Sequence, residues 1–505
     1  MSTDLLVVTA LRSEYAALHG RVPGARLVRC GMGPERVSRW LPSLVAQRPD
    51  ALVVAGVAGG LDPALQPGDI VVASEVRDEH GRAMLRETAP LVADLRRMGL
   101  RVHTGPVLSR DRVVGGRDER EQLAATGALA VDMESAAIVR AMHDGGAQPR
   151  PVAVVRVIVD TVSTPLLRAA TVPNGAKALW TLRRLAPALR RWAGLAGPRR
   201  VLLAGPRSFC AGVERAIDIV EVALQRYPRP IYVRRQIVHN AHVVRDLERQ
   251  GAVFVDELDE VPDGTTLVFS AHGVSPAVRA EAARRELTVI DATCPLVSKV
   301  HAEARRFAGR GDTVVLIGHD GHDEIEGTLG EAPGQITLVQ TPEDAARLEP
   351  ADPDHVAYLM QTTLAVDDAA TTVDVLRRRF PLIESSATDD ICYATTNRQR
   401  AVRAIAEDCD VVIVLGSANS SNSLRLAEVA NRAGASAHLV DDANGLLPEW
   451  IAGGRTIGLT AGASAPPHLV DEVVATLRAF GPLEVVEQTV AEEKITFTLP
   501  KEVAG

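Results

Sequence analysis

The sequence predicts an α/β chain of two folding units, and three observations predict it. Short β-branched runs alternate with helical patterns along the whole length. The 505 residues exceed what one hydrophobic core organises. A basic stretch ending in Gly-Pro-Arg-Arg breaks the alternation near residue 197. In the first unit LLVVTA, ALVVAGV, DIVVASE and VAVVRVIV read as strands, and VLLAG, TTLVFSA, TVVLIG and VVIVLG serve the second. Between them, AKALWTLRRLAPALRRWAGLAGPRR spaces Leu, Ala and Trp as an amphipathic helix interrupted by Pro187. That apolar stripe suits packing on the first unit; a basic face against a membrane or lipid-like substrate is the sharper alternative. The expected units are residues 1–196 and 197–505.

Composition narrows the function classes. Hydrophobic residues at 46% and charged residues at 24% are ordinary for a soluble globular protein. A net charge of -8 with no Lys/Arg block argues against a general nucleic-acid binder. No run of about 18 apolar residues suggests a membrane span. MSTDLLVVTALRSEY lacks the basic region of a signal peptide and reads as a strand followed by a helix. Five scattered cysteines indicate a reducing compartment, so a cytoplasmic location is expected. Lysine is confined to Lys177, Lys299, Lys494 and Lys501, a scarcity that reads as compositional bias rather than function.

Three of the cysteines point to chemistry. Cys210, Cys294 and Cys392 lie in FCAGVERA, DATCPLVSKVH and DICYATTNRQ, each at the start of a helical pattern. Backbone N–H groups and the helix dipole favour a thiolate there. A closed structural metal site takes four ligands, whereas three leave a position for substrate. Structural zinc is the alternative, but no fourth Cys or His stands at a zinc-like spacing beside them. Cys30 and Cys409 are expected to be buried small hydrophobes.

These cysteines belong to an ordered series. FCAGVERA, YVRRQIVHN, SAHGV, DATCPLVSKVH, GHDGHDEIEGTLG, QTTLAVDD, DICYATTNRQ, GSANSSNSLRL and TAGASAP run from about residue 200 to the C-terminus. The series resembles the 4-hydroxy-3-methylbut-2-enyl diphosphate reductase family of non-mevalonate isoprenoid biosynthesis. The resemblance implies a three-lobed, pseudo-threefold α/β reductase around one [4Fe–4S] cluster per chain, held by the three cysteines. One iron, not bound by protein, would take the allylic hydroxyl oxygen of the substrate. His239, His272 and His322, with Ser420, Ser421, Asn422 and Ser464, would hold the diphosphate. Because hydroxide leaves poorly, an acid is required; Glu324 matches the family's proton source and Thr362 its relay. Asp323 stands where proline is expected and, if close, would push Glu324 upward. With no dinucleotide fingerprint and no second cysteine set, an external ferredoxin or flavodoxin is implied.

A second series occupies the first 165 residues: GMGPERV, GVAGGLDPALQPGDIVVASEV, VDMESAA and RVIVDTV. It resembles the purine nucleoside phosphorylase and methylthioadenosine/adenosylhomocysteine nucleosidase superfamily, and within it the hopanoid-associated phosphorylases. Cleaving an N-glycosidic bond builds positive charge on the ribose while electrons drain into the purine. The resemblance implies Asp160 as the acid at the purine, Glu134 on the ribose hydroxyls with Met133 packed beside the sugar, and Glu14 as activator of water. A purine nucleoside is the implied substrate, adenosylhopane first. Methylthioadenosine, adenosylhomocysteine and futalosine are the alternatives, as is a non-catalytic nucleoside-binding module. Whether phosphate or water attacks, and whether the chain oligomerises, stay open.

Overall fold

In a computed structural model of the 505-residue chain, residues 3–144, 150–162 and 171–504 are described. The chain divides into two compact units. One comprises Met1–Val201 with Asp442–Ile457 and Asp471–Val485; the other comprises Leu202–Asp441, Gly458–Val470 and Val486–Gly505.

Among the described residues, eight strands form the sheet of the first unit. Its order is Ala25–Arg29, Leu5–Thr9, Ala51–Gly60, Ala130–Asp132, Val102–Ser109, Ile70–Asp78 and Gly81–Met84. Val152–Asp160 pairs parallel with Ala51–Gly60 and antiparallel with Ile70–Asp78. Leu5–Thr9 is buried at every position, and so is Ala51–Gly56. Strands covered on both faces read as unbroken apolar runs, which is why LLVVT and ALVVA do not alternate. The pairing of Ala51–Gly60 with Val152–Asp160 slips between Ala58 and Gly59, setting Gly59 opposite Asp160. Such irregularities re-aim side chains beside functional sites.

The stretch before residue 197 forms two helices, Thr171–Arg184 and Ala186–Ala193. Pro187 starts the second helix rather than interrupting one, because a first-turn proline forfeits no helical hydrogen bond. Leu182, Leu185, Leu189 and Trp192 have no exposed surface, and Trp192 donates through Nε1 to the Glu87 carbonyl at 2.8 Å. The stripe is therefore packed inside the first unit. No helix among the described residues is long and apolar enough to cross a membrane.

Three sheets follow, and they repeat one topology. The first has the order Ala252–Val255, Ile231–Arg234, Thr266–Phe269, Thr288–Asp291, and the second Ile336–Val339, Thr313–Ile317, Val356–Met360, Glu384–Ser385. Both are parallel throughout and run second, first, third, fourth in chain order. The third sheet has the order Ser436–Val440, Val411–Leu415, Thr456–Ala461, Arg199–Gly205, Leu483–Thr489. Here the fourth place is taken by Arg199–Gly205, a strand from earlier in the chain. The repeat is therefore circularly permuted in its last copy, which hides it from a linear reading of the sequence.

That repeat places the chemistry. After each first strand come His239, then His322 with Glu324, then Ser420–Asn422. After each third strand come His272, Thr362 and Ser464, and after each fourth strand Cys294, Cys392 and Cys210. In open parallel sheets ligands gather beyond the carboxyl ends of the strands.

Candidate active sites

Cys210, Cys294 and Cys392 are each the N-cap residue of a helix: Ala211–Arg226, Pro295–Gly309 and Tyr393–Ala406. All three are free thiols lining one pocket. Thr395 donates its backbone N–H to Cys392 Sγ at 3.3 Å. Gly212 leaves the space between sulfurs open, since a Cβ there would lie 2.7 Å from Cys294 Sγ and 3.9 Å from Cys210 Sγ. Burial pushes the Cys294 thiol up to about 12 and Cys392 to about 11, and neighbouring cysteines add to both shifts. Crowded thiols that resist ionising together are stabilised as thiolates by a multiply charged metal centre. The donor set fits an iron–sulfur cluster. Of the other two cysteines, Cys30 is buried as expected, while Cys409 is only half-buried.

The same pocket is lined by His239, His272, His322, Glu324, Thr362, Ser420, Ser421, Asn422 and Ser464. The rings of His239 and His272 stack with centroids 4.1 Å apart, and His322 meets both edge-on. The backbone N–H of Glu324 donates to His322 Nδ1 at 3.1 Å. In the neutral ring that leaves the proton on Nε2, as a donor. Burial lowers the pKa of all three, His322 to about 4, so the pocket holds them neutral. Ser464 donates to the His239 carbonyl at 2.9 Å, and Thr363 donates to Ser421 Oγ at 2.9 Å. Ser420 caps the helix Ser421–Arg432, whose first turn presents N–H groups suited to an anion.

Glu324 is 2% exposed. Thr362 reaches it twice, its backbone N–H donating to Oε1 at 2.7 Å and its hydroxyl to Oε2 at 2.9 Å. Burial raises the carboxyl to about 7 against these two hydrogen bonds, and the charge of Asp390 adds to the rise. The sequence points to Asp323 as the cause of such a rise, but burial and Asp390 supply it. Asp323 is drawn into an ion pair with Arg235 instead.

The second constellation lines a pocket of the first unit: Glu14, Met133, Glu134 and Asp160, with Arg120 and Asp132. Glu14 accepts from the backbone N–H groups of Ala10 at 2.9 Å, Leu11 at 2.8 Å and Val57 at 2.7 Å. Gly56 is obligatory beside it, because a Cβ would lie 2.5 Å from Glu14 Oε1 and 2.7 Å from Arg156 Nη1. Glu134 accepts from the Gly33 N–H at 3.1 Å and lies 3.6 Å from Arg156. Burial raises its carboxyl, with Arg156 opposing. Arg156 also pairs with Asp132 at 2.7 Å. Asp160 forms an ion pair with Arg120, a side chain 1% exposed that also donates to the Val114 carbonyl at 3.0 Å.

Comparison with known proteins names the larger unit. The family model for LytB protein matches residues 201–478. The chain belongs to the LytB family. A 4-hydroxy-3-methylbut-2-enyl diphosphate reductase from Mycobacterium bovis is 58% identical over 311 residues, spanning 61% of this chain and 94% of the relative. One from Azoarcus is 59% identical over 302 residues, spanning 60% and 97%. The solved reductase from Plasmodium falciparum, 38% identical, superposes with a TM-score of 0.59 over 61% of this chain and 97% of its own. A second model, the Phosphorylase superfamily, matches residues 12–189. This is an iron–sulfur oxidoreductase of the LytB type fused behind a phosphorylase-superfamily domain.

Residues behind the LytB pocket hold the cysteine-bearing segments in place without standing out as motifs. Lys299 ties down the segment before Cys392, donating to the carbonyls of Thr388 at 2.8 Å and Asp389 at 3.0 Å. Its signal was present, because it is one of four lysines in an arginine-rich chain. Arg398, with no exposed surface, donates to the carbonyls of Ser208 at 2.8 Å and Phe209 at 3.1 Å, holding the strand end before Cys210. In the first unit, Arg156 was legible as a lone charge inside VAVVRVIV. Arg120, within GGRDEREQLA, looked like any surface helix residue.

Proposed function

We propose that the LytB-type unit reductively dehydroxylates 4-hydroxy-3-methylbut-2-enyl diphosphate to isopentenyl and dimethylallyl diphosphate. The observation that carries this reading is the convergence of an acid, a diphosphate cradle and three thiols on one pocket. Cys210, Cys294 and Cys392 would hold a [4Fe–4S] cluster that leaves one iron without a protein ligand. When bound, that cluster supplies electrons and a Lewis-acid position. The electrons come from an external ferredoxin or flavodoxin.

The chain's own residues do the rest. Neutral His322 donates from Nε2 to the diphosphate, and the hydroxyls of Ser420, Ser421 and Ser464 with the Asn422 amide complete its cradle. Glu324, close to half protonated at neutral pH, delivers the proton that turns the departing hydroxide into water. Thr362, hydrogen-bonded to it twice, fixes the carboxyl plane and passes the proton on.

The phosphorylase-superfamily domain would cleave the N-glycosidic bond of a purine nucleoside, with adenosylhopane as the favoured substrate. Asp160 stands for the purine end, Glu134 for the ribose hydroxyls and Met133 for the sugar face. Support for a bulky apolar 5′ substituent comes from the pocket rim, where Met32 at 46% and Val113 at 52% are large apolar side chains left exposed. A water-activating role for Glu14 is supported by the three N–H groups that fix its carboxylate against the pocket.

Two assays test these readings. Anaerobic reduction of the diphosphate substrate by the iron-loaded protein should yield both isomers, and no turnover with intact cluster sinks the first. Adenine release should be measured from adenosylhopane, methylthioadenosine and adenosylhomocysteine, each with and without phosphate. Release from the small thio-nucleosides alone moves the domain to salvage; release from none makes it a binding module.

A further inference from the structure

One position sets the third cysteine helix apart from the other two. Cys210, Cys294 and Cys392 cap Ala211–Arg226, Pro295–Gly309 and Tyr393–Ala406, and three residues on stand Val213, Val297 and Thr395. Valine and threonine share a branched shape and differ by a hydroxyl. In the third helix that residue reaches the sulfur twice. Thr395 donates its backbone N–H to Cys392 Sγ at 3.3 Å, and its hydroxyl oxygen lies 3.2 Å from the same sulfur. Among the described residues, neither Cys210 nor Cys294 caps its helix through a side-chain hydrogen bond. Thr395 is 1% exposed, so bulk water does not compete for its hydroxyl.

The direction of the hydroxyl proton follows from a second neighbour. Ala463 donates its backbone N–H to Asn422 Oδ1 at 3.0 Å, which fixes the oxygen end of that amide. The other end, Nδ2, has only hydrogens to give, and it lies 3.3 Å from Thr395 Oγ1. The hydroxyl therefore accepts from Asn422. A thiolate can only accept, so the Thr395 proton goes to Cys392. Asn422 is itself buried in the first turn of Ser421–Arg432.

We propose that Thr395 is a positioning residue of the reductase site: its hydroxyl, turned by Asn422, stabilises Cys392 as a thiolate ligand and raises the reduction potential of the cluster that the three cysteines would hold. Hydrogen bonds to the sulfurs of such clusters help set their potential, and they favour the state that carries more negative charge, the reduced one. The line from Ala463 through Asn422 and Thr395 to Cys392 also ties a residue of the proposed diphosphate cradle to one thiol. The inference rests on the iron–sulfur reading of the three cysteines and not on the diphosphate reading.

The midpoint potential of the substrate-free, cluster-loaded full chain tests it, by anaerobic dye-mediated titration with iron and sulfide counted for each variant. Thr395→Val gives the third helix the side chain of the other two. It should disfavour the reduced state at least threefold, a drop of about 28 mV for a one-electron couple at ~59 mV per tenfold. Thr395→Ser keeps the hydroxyl and should recover the wild-type potential. Asn422→Ala leaves Thr395 in place but frees its hydroxyl to turn, and should lower the potential by a smaller amount. A fully loaded Val variant at the wild-type potential overturns the proposal. A Ser variant as low as Val overturns it as well, since the loss would then follow packing rather than the hydroxyl. Where Val fails to retain the cluster, Asn422→Ala decides, and an unchanged potential there overturns the role. Wild-type protein that takes up no iron sinks the cluster reading itself, and the tuning role with it.

Discussion

Glu324 and Asp160 are both pocket-lining carboxylates at 2% exposure, yet they keep different company. The Glu324 carboxyl is met by Thr362, and burial raises it to about 7. Asp160 is met by a buried guanidinium, as are Asp132 and Glu134 by Arg156. A buried acid without a cation beside it keeps its proton near neutrality and can give it away. A guanidinium beside a buried acid opposes that rise, although at Glu134 burial still prevails over Arg156. On the proposed roles both pockets would deliver a proton, Glu324 to the departing hydroxide and Asp160 to the purine, from carboxyls with opposite partners.

The largest expected effect separates the two pockets outright. Cys294→Ser should strip the iron from the reductase unit and abolish its turnover, while adenine release by the other domain continues. Iron content and the visible absorption of the cluster, read beside both activities, check this. Parallel loss of both activities would mean the substitution unfolds more than its own pocket.

Glu324→Gln comes next. Removing a general acid typically costs roughly 10²–10⁴-fold in rate, and here the loss should fall on kcat with iron content unchanged. The pH profile carries the sharper signature. Glu324 acts in its protonated form, so wild-type kcat/KM should fall as pH rises through about 7. In the Gln variant that limb should vanish. A profile that keeps the limb assigns the titration to another group.

Arg120→Ala probes the opposite arrangement. Removing a buried guanidinium from its ion pair with Asp160 destabilises the fold, and thermal unfolding of the first unit should register it as a lower midpoint. Adenine release should fall as well. Reductase kcat, measured below the unfolding temperature, should not move.

The contrast also explains what the sequence disclosed. The cysteines, the histidines and Glu324 stand in short strings after strand ends, where backbone geometry constrains neighbours and each motif is contiguous. The three cysteine segments suggest a threefold repeat, but no identity between copies reveals it, and the third copy borrows Arg199–Gly205 from earlier in the chain. Arg120 was invisible for another reason. Its partner Asp160 lies forty residues away, and only the slipped pairing of Gly59 with Asp160 brings the strand end to the pocket. Asp323 stands out in the sequence beside Glu324, but its charge is taken up by Arg235, eighty-eight positions distant. Motifs report local geometry; charge partners are set by topology.

The smallest effect concerns Glu87, a buried carboxylate outside both pockets. It is 5% exposed and accepts the Val152 N–H at 2.9 Å, and burial raises it to about 7 with that hydrogen bond opposing. Its value in the fold lies above the ordinary one near 4.5, so the folded state holds the proton more tightly than the unfolded chain. The contribution is present in full below pH 4.5 and is lost as pH rises through about 7, where a bare carboxylate must be buried. The loss is on the order of 1–3 kcal/mol. Gln keeps the acceptor for Val152 but never ionises. Glu87→Gln should therefore flatten the fall in stability between pH 5 and pH 8, by about 2–4 °C per kcal/mol for a unit of this size. An unchanged slope would mean that water reaches Glu87 in the fold, and that buried carboxylates in this unit need no guanidinium to stay charged.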